Sequence, residues 1–307
     1  MKGKISFKRV FELIKSSFKG FNENKVPKLS GSLAYCTVFS LGPLLIIIIG
    51  ISGFFWGREA IEGKIYGQLE NFMGHSTALQ LQQIIKNASI SGKGKWAAII
   101  GAVTLLIGAT TVFAEIQDSI NTIWGLKPKP RKGWVKLLKN RFLSFSVIVS
   151  LGFLLLVSLA FSAIIEGWGN QMQAHLNGIS VVLIFIATQL FNFLFTSIVF
   201  AIIFKVLPDA QIRWKDIIAG ALVTAFLFTI GKSAISLYIS KTNTGNVFGT
   251  AGSLVVLLVW VYYSSIILYF GAEFTKVFAK AYGAEIRPSP YAVTTKEIEV
   301  ETNKKTI

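Results

Sequence analysis

Lys232 interrupts an otherwise apolar run over residues 217–239. A cation placed there meets one of three fates. It snorkels outward on its long stem, it faces a cavity and meets an anionic substrate or lipid headgroup, or it joins an internal ion pair. Glu115 and Asp118 lie three apart and so share a helical face, which Thr122 extends. Glu273 ends another apolar run at the same expected depth. These three carboxylates either join a structural network with Arg141, Lys205 or Arg213, or form an acidic gate on the cytoplasmic side. Gln189, Asn192 and Thr196 either bond neighbouring helices or line a polar path. Pro43, and the glycines Gly245 and Gly249 of the loop 242–252, break regular helix. Backbone freed from helix at membrane depth must be buried or line a cavity. A substrate path is therefore expected to draw on Lys232, Asn192, Gln189, Pro43, Gly245 and Gly249.

Catalytic constellations are absent from the sequence. There is no phosphate-binding Gly-rich loop followed by Lys-Ser/Thr, no His-Glu-x-x-His and no Gly-x-Ser-x-Gly. Phosphodiester hydrolysis draws on paired metals or acid/base histidines, and the two histidines, His75 and His175, are scattered. The single cysteine, Cys36, rules out an intramolecular disulfide and a cysteine-rich zinc site. The expectation is a non-enzyme with no catalytic residue, no metal and no cofactor.

The elements that position these residues are membrane helices. The chain has 307 residues, of which 52% are hydrophobic and 15% charged, against about 25% charged in soluble domains. Residues 242–272 hold no charge over 31 positions. Their apolar part, about 20 residues at ~1.5 Å each, crosses a ~30 Å hydrocarbon core. Reading the whole chain this way predicts an all-α integral membrane protein of six spans, at about 31–55, 96–118, 142–165, 179–204, 217–239 and 251–272. Two amphipathic helices are expected in the external loop 58–95. Residues 1–28 form a cytoplasmic amphipathic segment, 29–283 the six-span domain and 284–307 a disordered cytoplasmic tail.

The formal charge is +16. Alternate loops carry 24 of the 31 Lys and Arg on one side of the membrane and 7 on the other. Both termini are thus expected in the cytoplasm, and the basicity reports topology rather than nucleic-acid binding. In the N-terminal segment Ile5, Phe7, Phe11, Ile14, Phe18 and Phe21 recur at helical spacing, with Lys4, Lys8, Glu12, Lys15 and Lys19 opposite. Such a helix either lies on an anionic leaflet or packs on the protein's own cytoplasmic end. The expected partners are the bilayer and its anionic lipids, with no nucleic acid; a homo-oligomer is left open.

The chain resembles the YihY/BrkB family of bacterial inner-membrane proteins over about residues 8–283. The resemblance rests on Ala34-Tyr35 with Ser40-Leu41-Gly42-Pro43-Leu44, on Ser119-Ile120-Asn121-Thr122-Ile123-Trp124-Gly125 and on Leu207-Pro208. The Gly/Phe/Gly loop near 245–249 and Trp260 with Gly271-Ala272-Glu273 complete it. Their order and spacing make the match specific. Cys36 and Thr37 depart from the family, where aromatic or small residues are common. The resemblance implies location in the bacterial cytoplasmic membrane. It carries a historical ribonuclease label, widely regarded as a misassignment, and a link by name to serum resistance and virulence. It also implies export or transport of lipid-like precursors. No substrate residue transfers with it. The expected function is a transporter, exporter or flippase of an anionic amphipathic molecule, with a non-catalytic structural role in the envelope as the alternative.

Overall fold

Long apolar runs must satisfy every backbone group internally, and helix is how one segment does so. The computed structural model describes residues 7–38, 40, 111–129, 178–242, 252–282 and 285–295. They are mainly helical: α1 (Phe7–Glu23), α2 (26–38), α3 (111–124), α4 (Gly178–Val206), α5 (Trp214–Thr242) and α6 (Gly252–Ala281). Three of them contain windows long and apolar enough to cross a membrane: Gln189–Val206, Trp214–Lys232 and Leu257–Ala281. At ~1.5 Å per residue each of these helices is about 45 Å long.

Local sequence sets the helix ends. Pro208 follows two residues after α4 and cannot continue it. Asp216, in the first turn of α5, favours the positive end of the helix dipole and takes Arg213 Nε at 3.0 Å. Gly125 closes α3 with φ +70°, where a side chain would be strained. Asn24 closes α1 by donating from Nδ2 to the Gly20 carbonyl at 3.0 Å.

α5 lies against both α4 and α6. The α5–α6 seam is built on glycines. Gly220 faces Thr275, Gly271 faces Thr224 and Gly231 faces Tyr263. Each threonine hydroxyl donates to the glycine carbonyl one turn back on its own helix, both at 2.7 Å. Both threonine hydroxyls are thus satisfied while the backbones approach closely, as small residues permit between membrane helices. Away from the seam, Ile186, Leu190, Leu194 and Ile198 on α4 are exposed. So are Ile218, Leu222, Phe226 and Ile230 on α5. Both sets step by four residues and form apolar stripes suited to lipid. The tightest core sits at one end, where Val26, Ile120, Ile123, Phe204, Ile217 and Tyr269 are fully buried.

α6 runs past 272 to Ala281, and Glu273 within it is buried with partners. The expectation of disorder from 284 fails for 285–295. There β3 (Arg287–Pro288) pairs antiparallel with β2 (Ala210–Gln211). Likewise β4 (Ala292–Thr294) pairs with β1 (Leu126–Pro128). The strands bond to the two loops that follow α3 and α4, which supply the open edges. Residues 296–307, the external helices over 58–95, the span 142–165 and most of 31–55 and 96–118 lie outside the described residues.

Candidate functional site

Two features could carry function: an apolar cavity among the helices and a polar girdle at their buried end. The cavity, about 300 Å³, is walled by Leu33 and Thr37 of α2, Phe200 of α4, Phe228 of α5, and Trp260 and Ser264 of α6, among others. Thr37 donates to the Leu33 carbonyl at 2.7 Å and Ser264 to the Trp260 carbonyl at 2.9 Å. Their hydroxyls are therefore turned to backbone, and the wall is apolar. Phe228 stands edge-on to both Phe200 and Trp260, at centroid distances of 5.7 and 6.2 Å. This volume lies at the small end of ligand pockets, roughly 300–1,000 Å³. It suits one acyl chain or ring system, with no group to hold a charge.

Lys232 is exposed and lies four residues after Phe228 on α5. The two share a helical face, distinct from the stripe Ile218–Leu222–Phe226–Ile230. A cation thus stands one turn, about 6 Å, beyond the apolar cavity on its own side of α5. Gln189 and Asn192 are both exposed on α4, and neither lines the cavity. Pro43, Gly245 and Gly249 lie outside the described residues.

The girdle is where the acidic residues sit. Glu273 is 2% exposed. It accepts from Asn24 Nδ2 at 2.8 Å, and Lys276 Nζ lies 3.2 Å from its Oε1. The same ammonium donates to the Ile123 carbonyl at 2.6 Å, so the ammonium of an ion pair within α6 ties that helix to α3. Gly20 of α1 sits directly on the Glu273 carboxylate, where any Cβ would collide with it. Trp124 Nε1 donates to the Ala272 carbonyl at 2.9 Å. The expected basic partners are engaged elsewhere: Arg213 with Asp216, and Lys205 with the Ile212 carbonyl at 2.7 Å. Arg141 lies outside the described residues. Glu115 is half-buried and Asp118 exposed on α3. Among the described residues, no three His, Cys, Asp or Glu side chains form a group able to hold a metal.

Sequence reasoning missed Asp209. Buried Asn121 holds it from both sides: Asn121 Nδ2 donates to Asp209 Oδ2 at 3.1 Å, and the Asp209 N–H donates to Asn121 Oδ1 at 2.9 Å. Gln117 Nε2 adds a third bond at 3.2 Å, and Ser289 N–H bonds the Asp209 carbonyl at 2.9 Å. Asp209 thus joins α3, the α4–α5 turn and the C-terminal strands. Its signal was the pairing of a polar Asn-x-x-Trp-Gly segment with Pro-Asp far along the chain, which one sequence cannot register. Asp209→Ala leaves the Asn121 amide buried and unpaired, and is expected to cost about 1–3 kcal/mol. Asp209→Asn, which still accepts a bond, should cost less. Thermal unfolding in detergent distinguishes them, and equal melting of the two variants would contradict the network.

Comparison with known proteins places this arrangement. The family described as Virulence factor BrkB matches residues 17–295. A UPF0761 membrane protein of Tolumonas auensis is 25% identical over 258 residues, 82% of this chain and 80% of its own. Relatives of the same name from Aggregatibacter aphrophilus and Haemophilus influenzae are each 26% identical. They cover 85% and 83% of this chain, and 89% and 91% of their own. No solved structure matches.

Proposed function

The chain belongs to the YihY/BrkB family of membrane proteins, and from that premise we propose that it transports, exports or flips an anionic amphipathic, lipid-like molecule. The proposal places it in the bacterial cytoplasmic membrane with six spans and both termini inside, acting without catalysis. One observation carries the reading: an apolar cavity on α2, α4, α5 and α6 with Lys232 one turn beyond it on the same face of α5. The cavity takes an acyl segment, and the ammonium meets the anionic head. Neither alone would select an amphipath.

A structural role in the envelope is the second reading. The engagement of Glu273 and Asp209 in helix-to-helix contacts favours it.

Purified protein in vesicles carrying a fluorescent anionic lipid analogue separates the two. Wild type is expected to accelerate movement between leaflets. Lys232→Met should slow it by about tenfold or more, the scale of one lost charge contact of ~1.5–3 kcal/mol. Lys232→Arg should retain most of the rate. Ser264→Phe, which fills the cavity, should slow it without altering headgroup preference. Wild-type movement no faster than that of empty vesicles would sink the transport reading and favour the structural one.

A further inference from the structure

The N-terminal helix carries a surface that neither the cavity nor the girdle uses. α1 lies against α6, with Gly20 on Glu273, and Leu13 and Ser17 on the same face of α1 are buried. Phe18 meets Phe270 at 5.0 Å between ring centroids, and Arg9 lies 5.3 Å over the Tyr282 ring. α1 therefore runs antiparallel along the last turns of α6. This docking stripe is not the apolar stripe that the sequence displays. Phe11, Ile14 and Phe18 remain 64%, 40% and 55% exposed. At 100° per residue, Lys8, Lys15 and Lys19 form a third face, about a quarter-turn from the apolar one and away from α6. Glu12 and Glu23 border that face, Glu23 pairing with Lys19 at 3.6 Å.

The α5–α6 register supplies the depth. Gly220 faces Thr275 and Gly271 faces Thr224, so position 218 stands level with 277 and position 214 with 281. Ile218, the first of the lipid-suited stripe on α5, is 48% exposed, and Trp214 is 55% exposed. An exposed tryptophan beside an apolar stripe is the mark of the membrane–water boundary. The turns of α6 that α1 covers, between Phe270 and Tyr282, thus lie at the same depth as the start of that stripe and its tryptophan.

We infer that α1 is a lipid-contacting helix. Phe11, Ile14 and Phe18 enter the leaflet at which α6 ends, and Lys8, Lys15 and Lys19 bind anionic headgroups there. The helix leans along α6 rather than lying flat, so Phe18, level with Phe270, is deeper than Phe11. Docking fixes its angle, and the exposed stripe takes up lipid in the manner of an interfacial helix.

Site-directed spin labelling of the full chain tests this. In a Cys36→Ser background, single cysteines replace Phe11, Ile14, Phe18 and, on the far side, Ser16. The protein is placed in nanodiscs of phosphatidylcholine, with and without phosphatidylglycerol. Oxygen accessibility relative to a water-soluble nickel chelate should be about threefold or more higher at 11, 14 and 18 than at 16, and highest at 18. Adding phosphatidylglycerol should raise the value at 11, and the triple change Lys8→Gln, Lys15→Gln, Lys19→Gln should abolish that rise. These lysines are exposed, so folding is retained. Chelate access at 11 and 18 equal to that at 16 would overturn the inference, as would shielding of both from oxygen and chelate alike, the signature of a protein partner. A value at 11 unaffected by phosphatidylglycerol would overturn the headgroup assignment.

Discussion

Gly271→Leu and Gly220→Leu are each expected to prevent recovery of folded protein. The reason lies in the reciprocal seam between α5 and α6. A Cβ on Gly271 would fall on the Thr224 hydroxyl and 2.9 Å from the Thr224 Cβ and Cγ2. A Cβ on Gly220 meets Thr275 in the same way, with its Cβ also at 2.9 Å. The conflicting atoms belong to short β-branched side chains, each stiff at χ1 and held by its hydroxyl to its own backbone. They cannot swing aside, so the helices must separate. Even Gly271→Ala should cost about 1–3 kcal/mol through overpacking. Separation along a seam also forfeits the dispersion contacts on which membrane helices depend, since lipid offers no hydrophobic drive to hold them. Gly31→Ala is the control. Its nearest contact would be Tyr262 Cε2 at 4.0 Å, and alanine in a helix is favoured over glycine by about 0.5–1 kcal/mol. The double variant Thr224→Ala with Gly271→Ala should recover part of the loss, with a coupling of about 0.5–3 kcal/mol. Thermal unfolding in detergent reads the three alanine variants, with Thr224→Ala alone closing the cycle. Wild-type melting of Gly271→Ala would show that the seam does not form.

The seam also shows what a single sequence discloses. The helices α4, α5 and α6 could be placed from hydropathy because each must hide its backbone over a fixed thickness. The helices Gly178–Val206 and Trp214–Thr242 cover the runs expected to span at 179–204 and 217–239. Their partners are harder to read. Gly220-x-x-x-Thr224 and Gly271-x-x-x-Thr275 stand openly in the sequence, but each is a common pattern. Only the antiparallel register sets one against the other. Hydropathy treats the charge of Glu273 as a boundary, yet the helix runs on through it; Lys276 and Asn24 change what that charge costs. The apolar periodicity of α1 identified the residues that prefer to leave water, but it did not say what would cover them. The docking stripe Leu13, Ser17 and Gly20 carries little hydrophobic signal, being chosen for closeness instead. β1 to β4 are two or three residues each, too short for any alternation to register. Of the site residues, Lys232 was legible as an anomaly in an apolar run. The cavity beneath it was not, since its walls come from four helices and its hydroxyls look polar until their backbone partners are known.

Lys276→Ala is expected to be the most damaging change of a charged residue, at about 3–5 kcal/mol. Glu273 is 2% exposed and the Lys276 side chain only 17%. Removing the ammonium leaves a carboxylate in a dry site with Asn24 as its remaining donor at 2.8 Å. It also strips the Ile123 carbonyl of the bond that joins α3 to α6. Removing both charges in Glu273→Ala/Lys276→Ala should cost less than Lys276→Ala alone, because no buried charge is then stranded. Glu273→Gln keeps an acceptor for Asn24 and Lys276 but leaves the ammonium without its countercharge, so its cost should fall between those of the double variant and Lys276→Ala. The structural consequence reaches beyond α6. Gly20 rests on the Glu273 carboxylate, so a displaced Glu273 loosens the docking of α1. Hydrogen exchange over residues 7–23 should therefore accelerate in Lys276→Ala while α4 remains protected. If the single and double variants melt alike, the ion pair is not what holds this end together. If α1 exchanges as slowly as in wild type, its docking does not depend on Glu273, and the Leu13–Ser17 stripe alone carries the contact.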